Sequence, residues 1–271
     1  LNRLTTQQVK ITLLLPQPSD SDFLLKELNT DIEIKYLYKR GTPHLTRKIG
    51  ESIMIFCPSL FILWKSIKSS DYDLIVCFKE TFYAKFLSTL NTSKILWIHN
   101  ILYKKKYEVS SLRERLSVWL NKKQIAKVQS SYNKFDTVVC VSEAAKDAYL
   151  SVLYDGLMPA QDIRVLYNAI NLSQVVEKSK EEIVHIDQSH MTFILVTRES
   201  PEKRIDRLLR AAYQLKQEGY IFHVYLIGEG MDSMGMNKKI DDMDLIPFFS
   251  LIGRIDNPYP YILQCKWSLC V

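Results

Sequence analysis

Ten short apolar runs rich in β-branched residues recur along the chain. They are KITLLL (10–15), IEIKYLY (32–38), DLIVCF (73–78), KILWIH (94–99), TVVCVS (137–142), IRVLY (163–167), TFILVT (192–197), FHVYLI (222–227), FFSLI (248–252) and KWSLCV (266–271). Most are continuous rather than alternating, the pattern of strands covered on both faces. The stretches between them change period. Over 205–215, Ile205, Leu208, Leu209, Ala212 and Leu215 fall on one helical face, and Gly219 supplies a stop. Ser142 followed by Glu143 predicts a capped helix through EAAKDAYLSVL. Strand and helix in alternation predict an α/β fold with parallel sheets.

One seam interrupts the alternation. After VLYNAINLSQ the chain runs through VVEKSKEEIVHIDQSH, which is polar with few apolar residues in register, and the strand–helix pattern restarts at Met191. This predicts two Rossmann-like units, residues 1–167 and 191–271, joined by a linker over 168–190. The most apolar long segment, Ile53 to Trp64, is too short to span a bilayer and contains Pro58, so a core helix is expected there. The five cysteines include no CxxC pair and no metal-ligand spacing with histidine. Cys77 and Cys140 sit inside apolar runs, where buried reduced thiols of a cytosolic protein are expected.

Charge is uneven. The formal net charge is +6, yet residues 101–134 hold nine Lys/Arg against Glu108 and Glu114, a local balance of +7. Lys104, Lys105, Lys106, Arg113, Arg115, Lys122 and Lys123 lie there with Tyr103, Tyr107 and Trp119 interleaved. Such a cluster suits an anionic membrane surface or an acceptor held there. It equally suits a solvated helix face. No nucleic-acid-binding motif accompanies it, so nucleic acid is not expected.

Two cations stand where open α/β sheets bind ligands, outside the carboxyl ends of strands. Arg198 follows the run FILVT, and Lys203 precedes the amphipathic helix. A helix N-terminus already attracts anions through its unpaired N–H groups and dipole. Arg grips phosphate oxygens bidentately and Lys adds a mobile point charge, so the pair suits a diphosphate. The competing reading makes both solvated loop cations, paired with Glu199 and Glu202. No GxGxxG follows any expected strand, which argues against a nicotinamide-dependent enzyme.

The order strand–Arg198–x4–Lys203–helix, then VYLIGEG, then FFSLIGRIDNPYPYILQCKWSLCV, resembles the second domain of the retaining group 1 glycosyltransferases, GT-B enzymes that use nucleotide sugars. The resemblance implies donor-diphosphate binding by Arg198 and Lys203. It also implies nucleotide contacts at Gly228, Gly230, Gly253, Arg254 and Ile255. The first half agrees: VVCVSEAAKDAYL with IRVLYNAIN resembles the family's strand–Ser–helix element and interdomain linker. ILWIHN resembles its strand ending in a cleft-facing histidine, which points to His99, with Asn100 beside it, as the residue lining the reaction centre. No metal or cofactor is implied; the nucleotide sugar is a substrate.

The resemblance also has gaps. KITLLL is followed by no glycine-rich loop and reads better as the family's second strand. The family's pair of glutamates, seven residues apart, would fall after Val271, and Thr197 and Glu199 replace a small and an apolar residue. Both Rossmann-like units are therefore expected to be incomplete, with weak stability after about residue 190. The implied activity is hexose transfer from a nucleotide sugar to a saccharide or lipid-linked acceptor in surface polysaccharide or glycolipid synthesis, with little turnover expected from these 271 residues. The location implied is cytoplasmic, peripheral at the inner membrane face. The alternative is a non-catalytic, membrane-associated binding remnant.

Overall fold

Each of the ten apolar runs overlaps a strand, and every strand pairing among the described residues is parallel. The computed structural model describes residues 2–5, 7–19, 23–78, 80, 82–102, 125–181 and 185–270. The basic residues Lys104, Lys105, Lys106, Arg113, Arg115, Lys122 and Lys123 thus lie outside the described residues. The chain divides into two compact units, Leu1–Asn168 and Ala169–Val271.

In the first unit the order is α1 (Asn2–Thr5), β1 (Thr12–Leu15), β2 (Glu33–Tyr36), α2 (His44–Phe56), α3 (Pro58–Lys65), β3 (Leu74–Cys77), α4 (Phe82–Leu87) and β4 (Ser93–Ile98). It continues with α5 (125–132), β5 (Thr137–Cys140), α6 (Glu143–Tyr154) and β6 (Asp162–Val165). One sheet has the order β3-β4-β5-β6, and β1 pairs with β2 in a second, two-stranded sheet. The central strands β4 and β5 bury Leu96, Ile98, Val138 and Cys140 against Tyr149, Leu150 and Leu153 of α6. Edge strands are less covered: β6, at an edge of the sheet among the described residues, alternates exposed and half-buried positions. The Ser142 hydroxyl accepts a hydrogen bond from the Ala145 N–H at 3.1 Å, and the cap starts α6 where its sequence predicts.

The second unit runs α7 (Leu172–Lys178), β7 (Met191–Val196), α8 (Ile205–Gln217), β8 (Phe222–Ile227), α9 (Met234–Asp241), β9 (Phe249–Gly253), α10 (Tyr259–Gln264) and β10 (Trp267–Ser268). Its sheet order is β10-β7-β8-β9. Leu195, Val224 and Leu226 pack with Ile205, Leu208, Leu209 and Ala212 of α8 and with Met236 and Ile240 of α9. The α8 face is the one the 3.6-residue period predicts. Gly219 follows that helix at φ +81°, where a side chain would be strained. The polar stretch 168–190 is not featureless. It carries α7, capped by the Asn171 side chain, and a buried Ile186.

The segment 53–64 departs from expectation. It is not one core helix but the end of α2 and most of α3, broken at Cys57. Pro58 occupies the first turn of α3, where its missing N–H costs nothing and its fixed φ suits a helix start. Met54 and Phe61 are fully buried with Leu37, Tyr38 and Phe86, while Phe56, Leu60, Leu63 and Trp64 are exposed. Phe61 meets the Phe86 ring edge-on at 5.5 Å. Phe61→Ala is therefore expected to cost about 3–5 kcal/mol of stability. Leu60→Ala, one residue away, should stay within about 0.5 kcal/mol of wild type. Urea unfolding of the two variants checks the contrast, and equal losses would refute it.

Candidate functional site

The carboxyl ends of β7, β8 and β9 are tied together by backbone hydrogen bonds that run past the strands. The Thr197 N–H donates to the Ile227 carbonyl at 2.9 Å, and the Glu199 N–H to the Glu229 carbonyl at 2.8 Å. The Gly228 N–H donates to the Gly253 carbonyl at 2.7 Å. This close approach explains two glycines directly. At Gly228 (φ +137°) a Cβ would lie 2.0 Å from the Thr197 carbonyl oxygen. At Gly253 (φ +73°) it would lie 2.5 Å from the Asp232 carboxylate. Gly230, with φ +83°, sits against Glu199, and Arg254 and Ile255 continue the β9 loop, exposed and half-buried respectively. The residues that sequence assigns to the donor site in this unit thus gather at one end of one sheet.

Arg198 is exposed at that end, and its guanidinium holds the Glu202 carboxylate at 3.0 Å. A backbone hydrogen bond and the Arg198 guanidinium pull the Glu202 carboxyl down to about 2. Glu199 does not pair with Arg198. Its carboxylate accepts from Lys239 Nζ at 2.7 Å and from the Ser233 hydroxyl at 3.1 Å, which places it below the usual carboxylate range, with Lys239 the main cause. Ser233 also caps α9 through the Met236 N–H. Lys203 ends a 3-10 turn, Pro201–Lys203, half-buried and without an ion pair to a described residue. Arg204 follows at φ +43° and grips Asp206 in the first turn of α8 with two bonds of 3.0 Å.

A cavity of about 300 Å³ opens beside the start of α8, lined by Glu199, Pro201, Arg204, Asp206 and Lys239 among others. Arg198 and Lys203 are not in its wall. Lys239, Ser233 and Asp206, which shape this place, were not singled out by sequence reasoning. Lys239 is forty positions from its partner Glu199, and no spacing announces such a pair.

In the first unit His99 is exposed at the end of β4. The rings of Phe78 and Trp97 stack at 5.1 Å, and His99 extends the array at 5.7 and 6.3 Å from them. The backbone beneath it is held by Glu80, which sequence reasoning missed. One Glu80 oxygen accepts from the His99 N–H at 2.8 Å and the Asn100 N–H at 3.2 Å, and the other accepts from the Asn100 side-chain amide at 3.1 Å. Glu80 is 7 % exposed, so these three donors replace the water it has lost. The β3–β4 pairing puts the segment after β3 beside the end of β4, which is how the contact is reached.

A sequence model of glycosyltransferase family 4 matches residues 1–174, well over half of the chain. The chain belongs to this family. A curated relative from Campylobacter jejuni, an N-acetylgalactosamine-N,N'-diacetylbacillosaminyl-diphospho-undecaprenol 4-alpha-N-acetylgalactosaminyltransferase, is 32 % identical over 104 residues. That match covers 38 % of this chain and 27 % of the relative, so the chain is aligned with about a quarter of that protein. Among solved structures, Anabaena Alr3699/HepE in complex with UDP-glucose superposes with a TM-score of 0.58 at 14 % identity, over 95 % of this chain and 72 % of the other. A glycosyltransferase from Rickettsia africae gives 0.55 at 12 % identity, over 96 % and 72 %. The lipopolysaccharide outer core galactosyltransferase WaaB gives 0.55 at 13 %, over 94 % and 71 %. These likenesses place the fold of this family 4 chain in the GT-B class of glycosyltransferases.

Two outcomes follow from the site's contacts. Glu80→Ala leaves the His99 and Asn100 amides without their acceptor and is expected to cost about 1–3 kcal/mol. Hydrogen exchange at those two amides should quicken selectively; unchanged protection would deny Glu80 its role. The second outcome is a titration. The folded-state pKa of Glu202 lies below its ordinary 4.5, so the stabilisation it gives is present above pH 4.5 and is lost as pH falls through about 2. Carboxyl-carbon NMR should place its midpoint near 2, and Arg198→Ala should raise it part of the way, the backbone bond holding the rest.

Proposed function

We propose that the site of this family 4 chain serves hexose transfer from a nucleotide sugar to a saccharide or lipid-linked acceptor, with retention of configuration and with little turnover expected from these 271 residues alone. The observation that carries the reading is the gathering of Arg198, Lys203, Gly228, Gly230 and Gly253 at the carboxyl ends of β7, β8 and β9 in a chain of this family. Parallel α/β sheets bind ligands at that end. HepE, whose fold is similar, is described in complex with UDP-glucose, and the Campylobacter relative by its name acts on a diphospho-undecaprenol-linked saccharide.

In this proposal the diphosphate takes the Arg198 guanidinium from Glu202. The exchange is cheap, since both partners are exposed and exposed pairs contribute little. Lys203, which forms no ion pair with a described residue, adds its charge. As the sugar–phosphate bond breaks, negative charge grows on the departing nucleoside diphosphate, and the two cations stabilise it there more than in the ground state. The glycines let the loop backbones lie close enough together to form the floor of the nucleotide site. On the first unit His99, whose backbone N–H is held by Glu80, is the residue assigned to the acceptor's reaction centre. The charge of the basic residues of 101–134 suits an acceptor held at an anionic membrane face.

Calorimetric titration with UDP tests the proposal. Arg198→Ala and Lys203→Ala should each weaken UDP binding by about tenfold or more, as loss of a charge-assisted bond to phosphate implies. Uridine, without phosphates, should bind both variants as it binds the wild type. Equal UDP affinity in wild type and Arg198→Ala would sink the assignment.

A further inference from the structure

Six large apolar side chains stand in solvent on two consecutive helices of the first unit. On α2 these are Leu45, Ile49 and Phe56, the last 76 % exposed. On α3 they are Leu60, Leu63 and Trp64, with Leu63 74 % exposed. Spacings of four and seven put Leu45, Ile49 and Phe56 on a single stripe of α2, opposite the fully buried Met54. Spacings of three and four do the same for Leu60, Leu63 and Trp64 on α3. The helices adjoin at Cys57, itself exposed, and Phe56 and Leu60 stand exposed on either side of that break. A helix needs one apolar stripe to cover its core. Here α2 has a second, turned outward, which packing within the described residues does not use.

The charges around this face select its partner. Residues 39–68 hold six basic side chains against Glu51, a balance of +5, whereas the chain outside 39–68 and 101–134 carries −6. Lys39, Arg40, Lys48 and Lys68 are exposed, and Glu51 is half-buried. The Lys65 ammonium lies 4.1 Å from the Trp64 ring centre and 4.5 Å from that of Tyr38, an aromatic–cation arrangement suited to a boundary between water and an apolar phase. A second copy of the chain, docked face to face, would set +5 against +5 and be repelled. Among the described residues no helix is long and apolar enough to cross a membrane, so a bilayer contact here lies in the plane of the surface.

We propose that the outward stripes of α2 and α3 form a docking surface for an anionic lipid bilayer. The apolar side chains enter the headgroup–acyl boundary while the flanking lysines and arginines meet lipid phosphates. This surface is distinct in sequence from the basic residues of 101–134, and it does not rest on the sugar-transfer reading, because lipid binding is measured without nucleotide.

Flotation with vesicles tests it. The full chain should bind vesicles of phosphatidylcholine with about one third phosphatidylglycerol at least tenfold more tightly than phosphatidylcholine alone, and less tightly as salt rises. The double substitution Phe56→Glu with Leu63→Glu should weaken binding by about tenfold or more. Both positions are exposed, so the thermal transition should be unchanged; if the double variant fails to fold, Leu45→Ser with Leu60→Ser takes its place. Wild-type affinity in the folded variants would overturn the proposal, since it would leave binding to other basic residues. Equal affinity for neutral vesicles would overturn it as well. So would a dimer that these substitutions dissolve in a protein that ignores vesicles.

Discussion

The hydrogen bond from the Gly228 amide to the Gly253 carbonyl, 2.7 Å long, draws the loop after β8 into backbone contact with the last residue of β9. No side chain could occupy the space between Gly228 and the Thr197 carbonyl, so this contact depends on glycine. The Glu199–Glu229 bond then sets the β7 loop on the same platform. Arg198 has no burial to orient it and takes its position from the backbone on either side. Any anion-binding role for Arg198 and Lys203 thus depends first on how closely three loops can approach.

Charge sharpens that dependence. The second unit carries twelve basic and fourteen acidic residues, a balance of −2, and the first unit carries +8. The long-range field of the second unit does not gather anions. Attraction to a diphosphate has to come from two cations placed within bonding distance of it, aided by the N-terminus of α8. Three acidic residues nearby are each assigned to a cation: Glu199 to Lys239, Asp206 to Arg204 and Arg210, Glu202 to Arg198. Of these, the Glu202 pair is the one an incoming anion would have to open.

The strands were legible because a strand covered on both faces is written as an unbroken apolar run, and ten such runs hold ten strands. Ser142, Gly219 and the α8 face were legible for the same reason: each obeys a local rule spanning a few residues. What escaped was non-local. Glu80 reaches residues nineteen and twenty positions away, and two of its three donors are backbone N–H groups that every residue owns. Of the two carboxylates considered as partners for Arg198, Glu202 is four residues away on the same turn, and Glu199 is claimed from forty positions off.

The segment 53–64 shows a different limit. An apolar side chain looks the same in the sequence whether it faces in or out, and Pro58 alone marks the break. Once the break divides the segment, only one side of each short helix can reach the core, and Met54 and Phe61 fill that side. Phe56, Leu60, Leu63 and Trp64 are left outward by geometry, not by composition. Outward apolar surface among cations gains most where water ends and anionic lipid begins, because both terms then act in the same direction. The first unit therefore combines its two unspent features, positive charge and exposed apolar area, on helices remote in sequence from His99.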